Sequence, residues 1–263
     1  MRGAMLQRVV ISALCAFWLV FPLYGGLQCP QKKVVLLKLS GDVLVDQQTG
    51  VPSAELARDL IRQMKKLGKT HCFGVVIGGG NLYRNTTQGV AFGVSPSIGF
   101  HLGMQAIGMN GLLLRALCEQ EGIACTLFGG DHRPELGEEI SELRLANALA
   151  AGHVLIFVGG TGNPYFSSDT SGVVRALQMK ANELWKCTKV DGVYSADPNK
   201  SVGAQLLPRV SYRSAIIDQL AVMDVTAYTL ARSHDLPTRV FNVFKPNALL
   251  HAACDKEFGS TIC

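Results

Sequence analysis

Two lysines sit in segments whose other residues belong in an interior. Lys38 lies in VVLLKLSG (34–41) and Lys186 in ELWKCTK (183–189), and an ammonium in a low-dielectric interior is costly unless an anion meets it. A ligand with several negative charges accounts for both. The alternative is that each stem covers apolar surface while its head snorkels to water past a strand end. Four apolar runs end in glycine-rich or Asp-Gly turns: VVLLKLSG, FGVVIGGGN (73–81), VLIFVGGTGNP (154–164) and ELWKCTKVDGVYSADPN (183–199). Glycine lets a backbone approach a ligand closely, and successive amides in such turns make anion-binding concavities. The chemistry these residues suit is the handling of phosphate.

The elements that would position them follow from the apolar pattern. Continuous apolar runs fit parallel strands buried on both faces, and ligands gather at the carboxyl ends of such strands. Ser53 is placed to cap a helix with apolar residues at Leu56, Leu60, Ile61, Met64 and Leu67, closed by Gly68. A strand at 73–77, a loop-like stretch from 81 to 100, a long helix over 102–121 and a strand at 123–128 are expected next. Helices near 137–150 and 170–181 flank a strand at 154–158, and helical stretches at 212–220 and 225–234 precede a strand at 238–243. Such alternation predicts an α/β fold, a parallel or mixed sheet sandwiched by helices. With 263 residues, 48% of them hydrophobic, the chain can bury one large core, and no repeat or low-complexity linker divides it.

Composition excludes other classes. The formal charge of +5 is small and dispersed, with no basic run longer than two residues, which argues against nucleic acid and for small anionic partners. The eight cysteines form no C-x-x-C pair and no zinc-spaced cluster, so they read as reduced, packing thiols. Arg2 and Arg8 precede an apolar run from Val9 to Tyr24 that is broken by Pro22. The run looks like a secretory signal without a small-x-small cleavage site, and it is too short and broken for a membrane span. Residues 1–31 are expected to be an extension outside a domain at 32–263. Their preferred reading is a start assigned too early; a signal, anchor or targeting segment is the alternative, and only such an anchor would imply a membrane partner.

Two common nucleotide-binding devices fail. A Walker A loop needs G-x-x-x-x-G-K-[ST] between strand and helix, whereas Gly68-Lys69-Thr70 follows a helix and has Gln63 where the first glycine belongs. The dinucleotide fingerprint needs a third glycine where this chain has Tyr83 after Gly78-x-Gly80.

The blocks KLSGD (38–42), VVIGGGNLYR (75–84), GTGNPYFSSD (160–169), KCTKVDGVYSADP (186–198), VMDVTAYTLAR (222–232) and RVFN (239–242) nevertheless form a recognisable set. In order and spacing they resemble the bacterial UMP kinases of the amino-acid-kinase family over about residues 32–263. The resemblance implies a three-layer αβα sandwich of about eight strands, a cytoplasmic homohexamer regulated by GTP and UTP, and phosphoryl transfer from MgATP to UMP. Magnesium would arrive with ATP, without a dedicated protein site.

By the same resemblance Lys38, Arg84, Asp169 and Lys186 would be the catalytic set. Lys38 would touch the transferring phosphoryl group and Asp169 would orient the lysine near magnesium, although Asp169 also suits an N-cap. Leu39, Ser40, Gly41, Gly80, Thr188, Tyr194 and Asp197, with Lys38 and Arg84, would bind ATP. Gly79 and the stretch Thr161, Gly162, Asn163, Pro164, Tyr165, Phe166, Ser167 and Ser168 would bind UMP, with Ser167 and Ser168 replacing the usual threonines.

Two departures stand out. Relatives place an aspartate for the UMP ribose at the head of the long helix, where this chain reads Gly99-Phe100-His101-Leu102-Gly103-Met104. Losing that acceptor would weaken UMP binding roughly ten- to a hundredfold, unless Ser95 or Ser97 substitutes. Asn182 stands where relatives have aspartate and is expected to leave Lys186 less neutralised. These losses keep open a non-catalytic nucleotide-binding protein, or a relative of the molybdenum/tungsten storage proteins, as the alternative.

Overall fold

The apolar run from Lys33 to Leu39 forms strand β1, and its neighbour His71–Ile77 forms β2. Both are buried along nearly their whole length, as continuous Val/Ile/Leu runs require when both faces are covered. The computed structural model describes residues 32–129, 137–198 and 200–263. The expected extension at 1–31 lies outside them.

The further strands are β3 (Cys125–Gly129), β4 (Glu138–Glu139), β5 (Val154–Val158), β6 (Glu183–Thr188), β7 (Val193–Tyr194), β8 (Leu206–Leu207), β9 (Arg209–Val210), β10 (Thr238–Asn242) and β11 (Ser260–Ile262). The helices are α1 (Glu55–Leu67), α2 (Pro96–Gln120), α3 (Glu142–Ala150), α4 (Ser168–Gln178), α5 (Tyr212–Ile217), α6 (Val225–Ser233) and α7 (Ala248–Cys254). Nine strands make one sheet in the order β4-β3-β5-β2-β1-β6-β10-β11-β9, and β7 and β8 pair separately. Within the nine-stranded sheet pairing is parallel except between β10 and β11, and β7 and β8 pair antiparallel.

Helices cover both faces. Leu60, Ile61 and Met64 of α1, Leu114 and Leu117 of α2 and Leu249 of α7 pack with Leu37, Phe73, Ile156 and Trp185 on one side. Leu145 of α3, Val173 and Ala176 of α4, Tyr212 of α5 and Tyr228 of α6 pack with Leu36, Val76, Leu155 and Val240 on the other. This is the expected three-layer sandwich, with one more strand in the sheet than the resemblance implied.

Several boundaries differ from expectation for local reasons. Ala54, not Ser53, is the N-cap of α1, although the Ser53 hydroxyl still accepts from Glu55 N at 3.4 Å. Gly68 ends α1 at φ −59°, in ordinary right-handed geometry. The helix expected from 102 begins at Pro96, preceded by Ser95 in extended conformation, so Ser-Pro was an unread start signal. A π-helical turn at Asn85–Gly89 occupies part of the expected loop.

Candidate active site

The register between β1 and β6 sets Lys38 directly opposite Lys186. Partners in register point to the same face, so both ammoniums leave the sheet side by side near its carboxyl edge. Both residues are buried, which a snorkelling lysine would not be. On that face α4 begins, capped by Ser167, whose hydroxyl accepts from Asp169 N and Thr170 N. The cap puts Asp169 in the first helical turn rather than at the N-cap. Its Oδ1 meets Lys38 Nζ at 2.8 Å and also accepts from Lys186 Nζ. Gly172, one turn further, lets α4 settle on the Lys38 stem, since a Cβ there would lie 3.2 Å from Lys38 Cγ.

Two cations around one carboxylate leave an excess positive charge. Burial pushes the Asp169 carboxyl up, but Lys38 and Lys186 outweigh it and hold it down at about 2. Burial and repulsion from Lys38 push the Lys186 ammonium below the ordinary lysine range, with Asp169 opposing. Cys187, next to Lys186 in sequence, faces the opposite core, where burial pushes its thiol up. Its role is packing.

The turns after β1 and β2 interlock beside the lysines. Gly78 N donates to Leu39 O at 2.9 Å, and the Ser40 hydroxyl accepts from Asp42 N at 3.3 Å. A Cβ on Gly41 would lie 2.7 Å from Gly78 O, and one on Gly79 would lie 2.7 Å from Ala106 Cβ and 2.9 Å from Gly103 O. These two glycines are therefore required by packing. Gly80 is not, because its Cβ would meet only the Arg84 side chain, at 3.4 Å. Arg84 folds back, donating from Nε to Gly80 O at 2.6 Å, and approaches Asp42 at 3.5 Å. Lys189 holds the other Asp42 oxygen at 2.8 Å.

Sequence reasoning missed Asn110. This fully buried residue of α2 donates to Gly78 O and to Asn81 Oδ1, both at 2.7 Å, and so fixes the glycine turn. An Asn inside the apolar stretch MNGLLL was the available signal.

After β5 the chain takes left-handed conformations at Gly159, Gly160, Gly162 and Tyr165, with φ of 71°, 60°, 81° and 71°. Thr161 Oγ1 donates to Asn163 O and accepts from Asn163 N, both at 3.2 Å. Buried Arg175, also missed, donates to Gly160 O at 2.7 Å and braces the loop from below; burial lowers its pKa to about 10. Pro164 leads into Tyr165 and Phe166, whose rings are both exposed. The Ser167 hydroxyl, besides capping α4, donates to Asp224 Oδ2, and Thr170 Oγ1 donates to Asp224 Oδ1 at 2.9 Å. Ser168 faces Gly78, whose Cβ would lie 3.7 Å from its Oγ.

The other flank is formed where β6 ends. Thr188 Oγ1 donates to Val190 O at 2.7 Å and lies 3.2 Å from Phe241 O. Tyr194 lies in β7, and Asp197 approaches Lys200 at 3.6 Å. Asn182 is not part of this site. It pairs with Val34 of β1 through N–H to O and N–H to Oδ1 contacts of 2.7 Å each, about 13 Å of strand away from Lys186. The expectation that it modulates Lys186 is corrected: Asp169 supplies the neutralising charge, and Asn182 secures the start of β6.

Among the described residues no group of three or more His, Cys, Asp or Glu side chains is placed to enclose a metal. No helix among them is long and apolar enough to cross a membrane. The described cysteines are all free thiols.

A model of the amino acid kinase family matches residues 33–242. The uridylate kinase of Photorhabdus laumondii subsp. laumondii is 38% identical over 236 residues, covering 89% of this chain and 96% of that protein. That of Haemophilus influenzae (strain PittEE) is 38% identical over 237 residues, covering 89% and 99%. The crystal structure of UMP kinase from Ureaplasma parvum superimposes with a TM-score of 0.82 at 28% identity, covering 88% of this chain and 98% of that one.

Proposed function

Because the chain belongs to the amino acid kinase family, we propose that it is a uridylate kinase, transferring the γ-phosphoryl group of ATP to UMP to give ADP and UDP. The observation that carries this reading is the pair of lysine ammoniums converging on Asp169 where β1 and β6 end. A UMP phosphate oxygen attacks the γ-phosphorus, the new P–O bond forms as the bond to the β-phosphate bridging oxygen breaks, and ADP leaves with that oxygen. Such a transfer is mainly positioning and neutralisation of charge. The acceptor phosphate is largely dianionic at neutral pH, so no base has to take a proton from it. Asp169, held near 2, is no base; it holds both ammoniums in place.

The site divides at the lysines. Leu39, Ser40 and Gly41 at the end of β1, Gly80 and Arg84 after β2, and Thr188, Tyr194 and Asp197 at and beyond the end of β6 would hold ATP, and Gly79 with Thr161–Ser168 would hold UMP on the flank of β2 and β5. Magnesium, when bound with ATP, screens the phosphate charge. Asp169 is the carboxylate beside the lysines that would lie near it, and an ion that keeps phosphates and water as most of its ligands would need no dedicated protein site.

The enzymatic domain spans residues 32–263 and works in the cytoplasm, where ATP is available, within pyrimidine nucleotide synthesis. A homohexamer with GTP and UTP as effectors rests on the family resemblance. Support for assembly comes from the exposed apolar face of α2, where Ile98, Leu102, Met109, Leu112 and Leu113 recur at helical spacing. A storage protein is the weaker reading, since the relatives matched over most of the chain are named uridylate kinases.

Lys38→Met tests the assignment. It should keep the fold and lower kcat by at least ~100-fold, the range lost when one preorganised charge-stabilising group is removed. Unchanged turnover in a coupled ADP-release assay would refute the role of the lysine pair.

A further inference from the structure

We infer that the amino end of the sheet carries a second ligand site, a cavity that takes a small aromatic carboxylate. The cavity, of about 210 Å³, opens where the last turn of α1, the turn between α2 and β3 and the residues before β5 meet the first residues of β2. It lies the length of β2, about 20 Å of strand, from the glycine turn that follows Ile77. It is therefore separate from the phosphoryl-transfer site, and the inference does not depend on the reaction proposed above. The inner wall is apolar: Met64, Phe73 and Val154 line it and are buried. The ring of His71 lies parallel to that of Phe73, with centroids 5.8 Å apart and planes at 9°, and makes the wall aromatic. An apolar cavity of roughly 150 Å³ is enough to hold benzene, so one six-membered ring fits this volume.

The polar lining is basic. Lys32, Lys65, His71 and His153 border the cavity, and no Asp or Glu does. Lys65 Nζ is held at the rim by donating to Glu121 O at 2.7 Å, which uses one of its three hydrogens. The nearby carboxylates are engaged elsewhere, Glu121 with Arg58 and Arg62 and Glu183 with Lys33 and Arg239. His71 and His153 each use Nδ1 on a threonine hydroxyl, of Thr70 and Thr126, at 2.8 Å, leaving Nε2 as the ring nitrogen for a ligand. An apolar interior with a few convergent polar groups is the usual form of a small-molecule site. Positive charge without a facing carboxylate makes the preferred ligand an anion.

The test is calorimetric titration of the full chain with benzoate and, separately, with its neutral counterpart benzyl alcohol, at physiological ionic strength and with ADP and UMP present throughout. The expected result is one benzoate per chain with a Kd of about 1 mM or tighter, and benzyl alcohol at least ~tenfold weaker. The double variant Lys32→Glu/Lys65→Glu should weaken benzoate at least ~tenfold. Lys66→Glu/Lys69→Glu makes the same change of charge at neighbouring lysines that do not line the cavity, and should alter the Kd by less than about threefold. Thermal unfolding of each variant confirms that it is folded. No saturable binding of benzoate to the native chain below about 10 mM overturns the inference, whether the cavity rejects the anion or another part of the chain fills it. Equal affinity for benzyl alcohol, or equal losses in the two double variants, overturns it as well, because the lining charges would then not select the ligand.

Discussion

Lys38, Lys186 and Asp169 share one small volume, and their charges do not balance until a ligand arrives. This asymmetry separates stability from activity. Asp169→Asn leaves two buried ammoniums without a counter-charge and should destabilise the protein by ~3–5 kcal/mol, the usual result of breaking a buried pair. Lys186→Met removes the excess charge and leaves Lys38 paired with Asp169. It should therefore unfold at the same temperature as the native protein or higher, yet lose turnover; calorimetry beside a rate assay checks both. The lowered pKa of Lys186 gives a second consequence. An unfolded lysine keeps its proton to about pH 10.4, so between the folded value and that point the unfolded chain binds more protons, and stability of the empty protein rises with pH. ATP needs the charged form, so its affinity falls across the same window and binding takes up a proton. Calorimetric titration in buffers of different ionisation enthalpy should show that uptake at alkaline pH and none near pH 6. The contribution of Asp169 runs the other way, present above the ordinary aspartate value and lost as pH falls towards about 2. Asp169 and the lysines were legible in the sequence as charges out of place or as members of a motif. Asn110 and Arg175 were not, because their partners are backbone carbonyls of distant loops that only the fold brings near.

The site is held by strand ends and by side chains of two helices. The glycine turn after β2 is pinned by Asn110 from α2, and the loop after β5 by Arg175 from α4. Gly79→Ala tests this coupling, since its Cβ would press on Ala106 and on the backbone oxygen of Gly103. Overpacking of this kind costs roughly 1–3 kcal/mol, and the displaced turn should raise the KM for UMP more than that for ATP. Equal effects on both would show that α2 supports the two flanks alike. The long parallel strands were readable because burial on both faces leaves an unbroken apolar run. The short strands β4 and β9 at the sheet edges, and β11 beside β9, were not, since two or three residues carry no period and their pairing is set by neighbours. Helix α7 also went unread, although Asn247 before it is a residue type favoured at N-caps; there it takes left-handed geometry and makes no side-chain cap bond.

Across the described residues, the parallel sheet puts the glycine turns that follow β1, β2, β5 and β6 and both lysines at one end, leaving the opposite end outside the phosphoryl chemistry. There Glu183 joins Lys33, Trp185 Nε1 and Arg239 at 2.7, 2.7 and 3.5 Å, a buried cluster remote from the chemistry. Alternation of strands and helices was enough to anticipate the sandwich, while the division of its active edge into two flanks depended on which strands became neighbours. The most direct measurement incubates the purified full chain with MgATP and, in separate reactions, UMP, CMP, aspartate and acetylglutamate, and identifies the products by phosphorus NMR. The expected result is UDP and ADP in equal amounts from UMP, with far slower reaction of the others. ADP formation independent of UMP, or phosphoryl transfer to a carboxylate instead, would contradict it.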